Sequence, residues 1–448
     1  MGTLTATKIT LSKNSAFDSD TMGTGGGFQN NPGAVATLTN CTISNNEAKG
    51  PKDDGGGGVM VYTATLHLVN CTITANSTVS DGSTGNGGGG ISTTSGVTVT
   101  LQNTLVAGNT STANKPDLSG VIISRGHNLI GSVDGSTGIS GGVNGDIAGS
   151  NANPVEARLS ILAEYQGSTQ THALLPGSPA LDAGADCLAT DQRDITRPQG
   201  SACDIGAFES RGFTLTLTSG NNQSTRSGTA FAAPLVVMVT ANNPSEPVGP
   251  GGTITFSGPA TGASLNPVTV ITTTDAIGMA SASVTANATV GGPYFVAVTT
   301  PGVAEPINVS LTNTAPGISV AGQGQAIASD DTTPTITDDT DFGDVLVTQS
   351  VTHTFTISNT GTGVLNLSGD PRVTLSGAAV GDFTVVQQPT TPITPGGSVT
   401  FQVRFTPSAI GMRGATISIA SDDSGKNLYT FAIQGTGIFR VYLPLIQK

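Results

Sequence analysis

The residues that could do chemistry sit in a few short stretches. Between positions 182 and 209 the chain gathers Asp182, Asp186, Asp191, Arg193, Asp194, Arg197, Asp204 and Glu209. Carboxylates at this density could serve a glycoside hydrolase or lyase, or bind calcium. The expected use is structural, as a loop whose charges pair with one another. Lys52, Asp53 and Asp54 in "KGPKDDGGGG" are the only local candidates for a lyase base with metal-binding carboxylates in the repeat region. A solvated turn is the expectation there. Asp330, Asp331, Asp338, Asp339 and Asp341 form a third acidic stretch, suited to calcium between domains or, as expected, to a solvated linker edge. Serines are plentiful, but no G-x-S-x-G elbow accompanies them. His67, His127, His172 and His353 fall in separate segments. "DFG" at 341 to 343 has neither a Gly-rich loop nor an HRD segment with it, so a kinase is excluded. No catalytic residue is assigned, and no cofactor is expected, with calcium as the alternative.

The four cysteines, Cys41, Cys71, Cys187 and Cys203, contain no C-x-x-C pair and have no histidine grouping beside them, which disfavours zinc. Cys41 and Cys71 could be bonded across neighbouring turns of a repeat or could be two buried thiols. Both alternatives stand at this point.

The elements that carry these residues must be β-strands. With 61 Gly, 24 Pro and only 10% charged residues, the composition favours strands and turns over amphipathic helices. A net charge of -13 excludes a phosphate-binding stripe and hence nucleic acid. No apolar run approaches the roughly 20 residues needed to span a bilayer. The opening "MGTLTATKIT" has neither a basic n-region nor an apolar h-region, so export would need a leader upstream or another route.

The first 110 residues repeat. "TLTNCTISNN", "HLVNCTITAN" and "TLQNTLVAGN" align, with a weaker version in "ATKITLSKN". Their closing residues Asn14, Asn46, Asn76 and Asn109 and the glycine runs ending at Gly27, Gly58 and Gly90 share a period near 30 residues, the mark of a solenoid. Within each unit the apolar alternation slips by one across an asparagine, so each unit reads strand, corner, strand. Parallel stacking about 4.8 Å apart puts Leu11, Ile43, Ile73 and Val106 in one core column, and Ile9, Cys41, Cys71 and Thr104 in another. Asn40, Asn70 and Asn103 are expected to form a ladder of side-chain amides at the corner. Glycines supply positive φ or close approach at another corner. "NCT" and "NST" also match the N-glycosylation pattern, but a corner role accounts for them without a sugar.

Residues 100 to 209 contain "THALLPGSPALDAGADC" and "TDQRDITRPQGSACDIGAFES". These motifs resemble the bacterial choice-of-anchor Q family, right-handed parallel β-helix proteins of the cell surface or secreted space. The resemblance covers roughly residues 1 to 210 and implies that residues 165 to 210 close the C-terminal end of the helix. The family pattern has glycine where this chain has Asp194. A Cys187 to Cys203 disulfide is expected within this closing segment, contributing on the order of 3 kcal/mol.

From Phe213 the glycine clusters give way to short strands such as "FTLTLTSG", "APLVVMVTAN" and "GGTITFSG", spaced as in an Ig-like sandwich. They resemble bacterial Ig-like spacer modules. The stretch "TDFGDVLVTQSVTHTFTISNTGTGVLNLSG" through "YTFAIQGTG" resembles the choice-of-anchor D domain. The chain is therefore expected to be all-β: a right-handed parallel β-helix (β-solenoid) over 1–210, an Ig-like β-sandwich over 213–315, a choice-of-anchor D Ig-like sandwich over 320–437, and a short apolar tail over 438–448.

Sugar clefts usually offer aromatic faces; Trp is absent and only Phe28 and Tyr62 precede residue 110. The expected function is non-catalytic: a bacterial cell-surface or secreted protein displaying a rigid β-helix on Ig-like spacers for adhesion, recognition or envelope structure. Its expected partners are the cell envelope or an extracellular surface, through glycans or other proteins. A polysaccharide-acting lyase or glycosidase and a non-hydrolysing carbohydrate-binding protein are the alternatives.

Overall fold

A computed structural model describes residues 2–17, 24–50, 55–80 and 87–440. Lys52, Asp53 and Asp54, and most of the C-terminal tail, lie outside the described residues. The described chain is all-β, with two three-residue 3-10 turns as its only helical elements.

Residues 3 to 148 wind into a parallel β-solenoid with four sheets. The first sheet stacks Thr3–Thr7, Val35–Thr39, Thr65–Val69, Thr98–Gln102 and Ile123–Ser124. The second stacks Thr10–Ser12, Thr42–Ser44, Thr72–Thr74, Leu105–Val106, Leu129–Ile130 and Ile147–Ala148. The third runs through Ser15–Phe17, Glu47–Gly50, Ser77–Ser80 and Thr110–Ser111, and the fourth through Phe28–Asn30, Val59–Val61, Ile91–Thr93, Leu118–Val121 and Ser136–Thr137. The register pairs Leu11 with Ile43, Ile43 with Ile73 and Ile73 with Val106. Alternation in each strand turns one set of side chains inward, and Leu38, Cys41, Ile43, Leu68, Cys71, Ile73 and Val106 form a dry interior.

The second sheet breaks the half-buried pattern, because Thr42–Ser44 and Thr72–Thr74 are buried at every position. A sheet apolar or small on both faces requires a cover on each side. The outer cover is the segment that follows the coils. It forms an antiparallel hairpin, Leu159–Ala163 with Thr171–Leu174, and then runs lengthwise over the second sheet. Gly206 N–H donates to Asn103 O, Ala207 N–H to Thr72 Oγ1 at 2.9 Å, Asn40 Nδ2 to Thr190 O, and Thr10 Oγ1 to Gln170 O. The expectation that residues 165 to 210 close the C-terminal end is thus corrected: the segment is a lateral strap reaching back to the first coil. Leu105, Ala107 and Leu129 point outward and need this cover.

The strap's apolar side continues into the next domain. Leu105, Leu129, Tyr165, Leu174, Leu181, Ile205 and Phe208 share one core with Phe213, Leu235, Phe256 and Leu311. That domain is a sandwich of a three-stranded sheet (Phe213–Ser219, Leu235–Ala241, Met279–Ala282) and a five-stranded sheet containing Thr253–Ser257, Gly291–Thr299 and Ile307–Thr314. A second sandwich has a separate core around Phe355, Phe401, Phe405 and Phe431, and its first strand is Ile318–Gly322. Arg226 and Asp422 bridge the two sandwiches at 2.9 Å.

Candidate functional site

Two columns of asparagine run along the solenoid, and the structure distinguishes them. Asn40, Asn70 and Asn103 have φ near +50° (51°, 51° and 47°), the left-handed region that asparagine tolerates better than most residues. Lys8 and His127 continue this column with φ of 60° and 54°. Their side chains form no ladder: Asn40 and Asn103 bond the strap, Asn103 Nδ2 to Ala185 O at 2.7 Å, and neither amide atom of Asn70 has a partner. The ladder expected at these positions is therefore a correction, since these side chains leave the corner outward toward the strap.

The ladder belongs to the closing asparagines. Asn14 donates from N and Nδ2 to Asn46 Oδ1 at 3.0 and 2.9 Å. Asn46 does the same to Asn76 Oδ1, and Asn76 to Asn109 Oδ1. Asn109 ends the series on Asp117 Oδ1. Asp117 Oδ2 accepts from Ser132 N at 2.8 Å, so an acceptor-only side chain suits the terminus, where an amide would turn its NH2 toward that N–H. The glycine runs pack directly on this ladder. A Cβ at Gly58 would stand 2.8 Å from Gly90 O and 3.0 Å from Asn76 Nδ2, and one at Gly27 2.7 Å from Asn46 Nδ2. Close approach, rather than positive φ, demands glycine there. The signal was present in sequence: the closing column is asparagine in all four units, whereas the other column opens with Lys8.

Asp117 also lines a cavity of about 700 Å3 beside Glu156 and Arg158, where the chain leaves the last coils. Burial pushes its carboxyl up to about 6. Both oxygens already accept N–H groups, so it works as the end of the ladder and not as a proton donor to a ligand.

The acid-rich strap is internally paired. Arg193 bonds Asp191 Oδ2 from Nε at 2.9 Å and lies over the Phe208 ring, 3.4 Å from its centroid. Arg197 meets Glu209 Oε2 at 2.8 Å with both side chains fully buried. Asp204 accepts from the backbone N–H of Asp182 and Ser210, and Asp182 in turn from Ala202 N–H. Burial, then the charge of Glu209, push Asp204 well up, and burial raises Glu209 as well. Glu246 of the first sandwich closes the group 3.6 Å from Arg193. Asp194 has φ of 72°, a left-handed conformation that glycine adopts without steric cost, and pairs with Lys8 across the strap. Asp186 likewise turns the chain, with φ of 50°.

Cys187 and Cys203 are disulfide-bonded, their Cα atoms 6.4 Å apart. Cys41 and Cys71 are free and buried. A hydrogen bond with Cys71 holds the Cys41 thiol down at about 7, while burial pushes Cys71 well up.

One pair has the form of a nucleophile and base. Ser44 Oγ lies 2.7 Å from His172 Nε2, and His172 Nδ1 lies 2.7 Å from Ser160 O. The carbonyl fixes the proton on Nδ1, leaving Nε2 to accept from Ser44. Ser44 is fully buried and His172 is 6% exposed, so no substrate reaches them; the pair fastens the strap. The aspartates at 330 to 341 are dispersed: Asp330 bonds Thr430, Asp331 Thr333, Asp338 Thr340, Asp339 Gln323 and Asp341 Gln434. Among the described residues no three His, Cys, Asp or Glu side chains converge as metal ligands, and no helix is long and apolar enough to cross a membrane.

Residues 336–436 match the family described as HYDIN/CFA65/VesB-like, Ig-like domain. No curated protein matches the chain. Similar solved structures include a protein of unknown function from Porphyromonas gingivalis W83, 16% identical over 50% of this chain and 99% of that one, with a TM-score of 0.20. Invasin, a bacterial integrin-binding protein, is 16% identical over 51% of this chain and 39% of its own length, with a TM-score of 0.20. Domains 4 and 5 of the S-layer protein SbsC are 14% identical over 50% and 97%, with a TM-score of 0.24. At such identities and scores these likenesses carry no argument about function.

Proposed function

We propose that the chain is a non-catalytic bacterial cell-surface or secreted protein that displays a stiff β-solenoid on Ig-like spacers for adhesion, recognition or envelope structure. In this reading residues 1–210 are a choice-of-anchor Q β-helix and residues 320–437 a choice-of-anchor D domain. The observation that carries it is the continuous core joining the second solenoid sheet, the strap and the first sandwich. A hinge between display element and spacer would need a polar, loosely packed junction; here Phe208, Leu181 and Phe213 fill it. Arg193 reaches Glu246 across the same junction, the Arg197–Glu209 pair and the disulfide brace the strap behind it, and a disulfide suits an oxidising compartment. The buried titratable groups of the strap, Asp191, Arg193, Arg197, Asp204 and Glu209, are consumed in such contacts, which leaves long exposed solenoid faces as the working surface.

The test has two arms. Incubation with acidic and neutral polysaccharides, with and without calcium, is read by reducing ends and by absorbance of unsaturated products, and gives no turnover. Beads coated with the chain are retained on bacterial or host-cell surfaces above uncoated beads. Repeated turnover that disappears on replacing Asp53 and Asp54 together would overturn the reading, as would beads that are not retained.

A further inference from the structure

The strap covers the second sheet, and the outer face of the first sheet carries an ordered array of its own. Inward positions such as Ala36, Leu38, Leu66 and Leu68 lie in the dry core, so the alternate residues of each strand face out. The first coil presents Thr3, Thr5 and Thr7, and the second Val35, Thr37 and Thr39 in register with them. Thr65, Thr98 and Thr100 continue the same columns over the next two coils, with His67, Val69 and Gln102 at the remaining places. We propose that this face is an ice-binding surface, which adsorbs the chain to the neutral, periodic lattice of an ice crystal.

Spacing, chemistry and charge select that partner. Neighbouring coils repeat at about 4.8 Å and alternate residues of a strand at about 6.6 Å, a rectangular net close to the oxygen repeats on the prism face of ice. A sheet that matches a crystal must stay flat, and stacked core columns with a side-chain ladder, here Asn14 to Asn109, hold parallel coils without strong twist. Pairing across the four coils runs without a register shift. Each threonine offers a methyl group on a stiff χ1 and a hydroxyl that donates and accepts. Thr3, Thr5 and Thr7 are exposed and Thr37, Thr39, Thr65 and Thr98 half-buried. Among the described residues their hydroxyls have no hydrogen-bond partner. His67 Nδ1 lies 2.7 Å from Thr100 Oγ1, which ties its ring to the array. Strand propensity alone would accept threonine mixed with lysine or glutamate, as on the exposed sheets of soluble proteins; no position here is charged. The face lacks the cations an anionic partner needs, the aromatic rings on which sugars pack, and the Trp, Tyr or Arg anchors of a protein interface. The display reading requires no ice, so the inference goes beyond it and its failure would leave that reading intact.

The full chain is tested for thermal hysteresis and for inhibition of ice recrystallisation, and a fluorescently labelled sample for adsorption to a single crystal of ice. Growth arrest between the melting and freezing points, with faceted crystals, is expected. Thr5→Lys and Thr37→Lys, which put a charge and a long side chain into the array, should lose the effect. Thr384→Lys, at an exposed position of the last sandwich, should keep it. Melting curves matching the parent establish that the variants are folded, and the crystal plane to which the parent adsorbs reads the lattice match without any variant. The proposal is overturned if the parent neither arrests growth nor adsorbs to ice, or if the folded Thr5→Lys and Thr37→Lys act as the parent does. It is also overturned if the face only pairs with a second copy, seen as a dimer that Thr37→Lys abolishes without any adsorption to ice.

Discussion

Replacing Asn76 by alanine should be far more damaging than replacing Asn70 by glycine, although both asparagines are buried and recur at the solenoid period. Asn76 Oδ1 accepts Asn46 N at 3.0 Å and Asn46 Nδ2 at 2.9 Å, while its own Nδ2 donates to Ile43 O at 2.9 Å and Thr74 O at 3.0 Å. Truncation leaves the Asn46 backbone N–H without an acceptor where Asn46 and Asn76 are each 1% exposed. Asn46 Nδ2 keeps Leu11 O, and Asn109 Oδ1 keeps the Asn76 N–H. One orphaned backbone donor, with the Ile43 and Thr74 carbonyls each losing a donor, costs about 3 kcal/mol, the upper end of roughly 1–3 kcal/mol per buried orphan. Asn76→Asp should be worse at neutral pH, since its second oxygen would face the Ile43 and Thr74 carbonyls, and should recover partly as acid protonates it. Asn70→Gly removes an amide with no partner and places glycine at a φ of 51°, which glycine adopts without steric cost; its effect should stay within about 1 kcal/mol. Urea unfolding would be followed by amide exchange at Asn46, because a multidomain chain does not unfold in one step. Accelerated exchange at Asn46 in Asn76→Ala alone is expected. If Asn76→Ala leaves that amide protected while Asn70→Gly exposes it, the ladder has been assigned to the wrong column.

Other expectations concern the strap. Reduction, or Cys187→Ser, should remove about 3 kcal/mol and make the 182 to 209 region the first site of limited proteolysis, read by mass spectrometry. Arg197→Met leaves Glu209 buried without its cation and should cost about 3–5 kcal/mol, reduced by replacing Glu209 with Gln in the same chain; a double variant no more stable than the single one would contradict a direct pair. Burial lowers the His172 pKa from 6.5, so the folded strap binds fewer protons than the unfolded chain. Stability from this group is complete above 6.5 and falls as pH drops below it, and His172→Gln should flatten that slope in melts recorded against pH. Asp117 has the opposite sign: with a folded pKa of about 6 against 3.8, its contribution declines as pH rises between these values, and Asp117→Asn should abolish that component.

The local code made much of the solenoid legible. Alternation and a fixed repeat are properties of neighbouring residues, so Leu11, Ile43, Ile73 and Val106 could be placed in one inward column before any fold was known. The composition likewise excluded helices, and the turn spacing after Phe213 announced the sandwiches. What sequence alone could not decide was direction in space. The segment from 165 to 210 does not repeat, so nothing local says whether it caps an end or lies along a side; the decisive fact is that Leu105, Ala107 and Leu129 point outward and must be covered. Asn70 and Asn76 are equivalent as residue types. Only the winding of the coil turns one toward its neighbours and leaves the other at a bend, because side-chain direction at a corner depends on backbone φ in the folded turn.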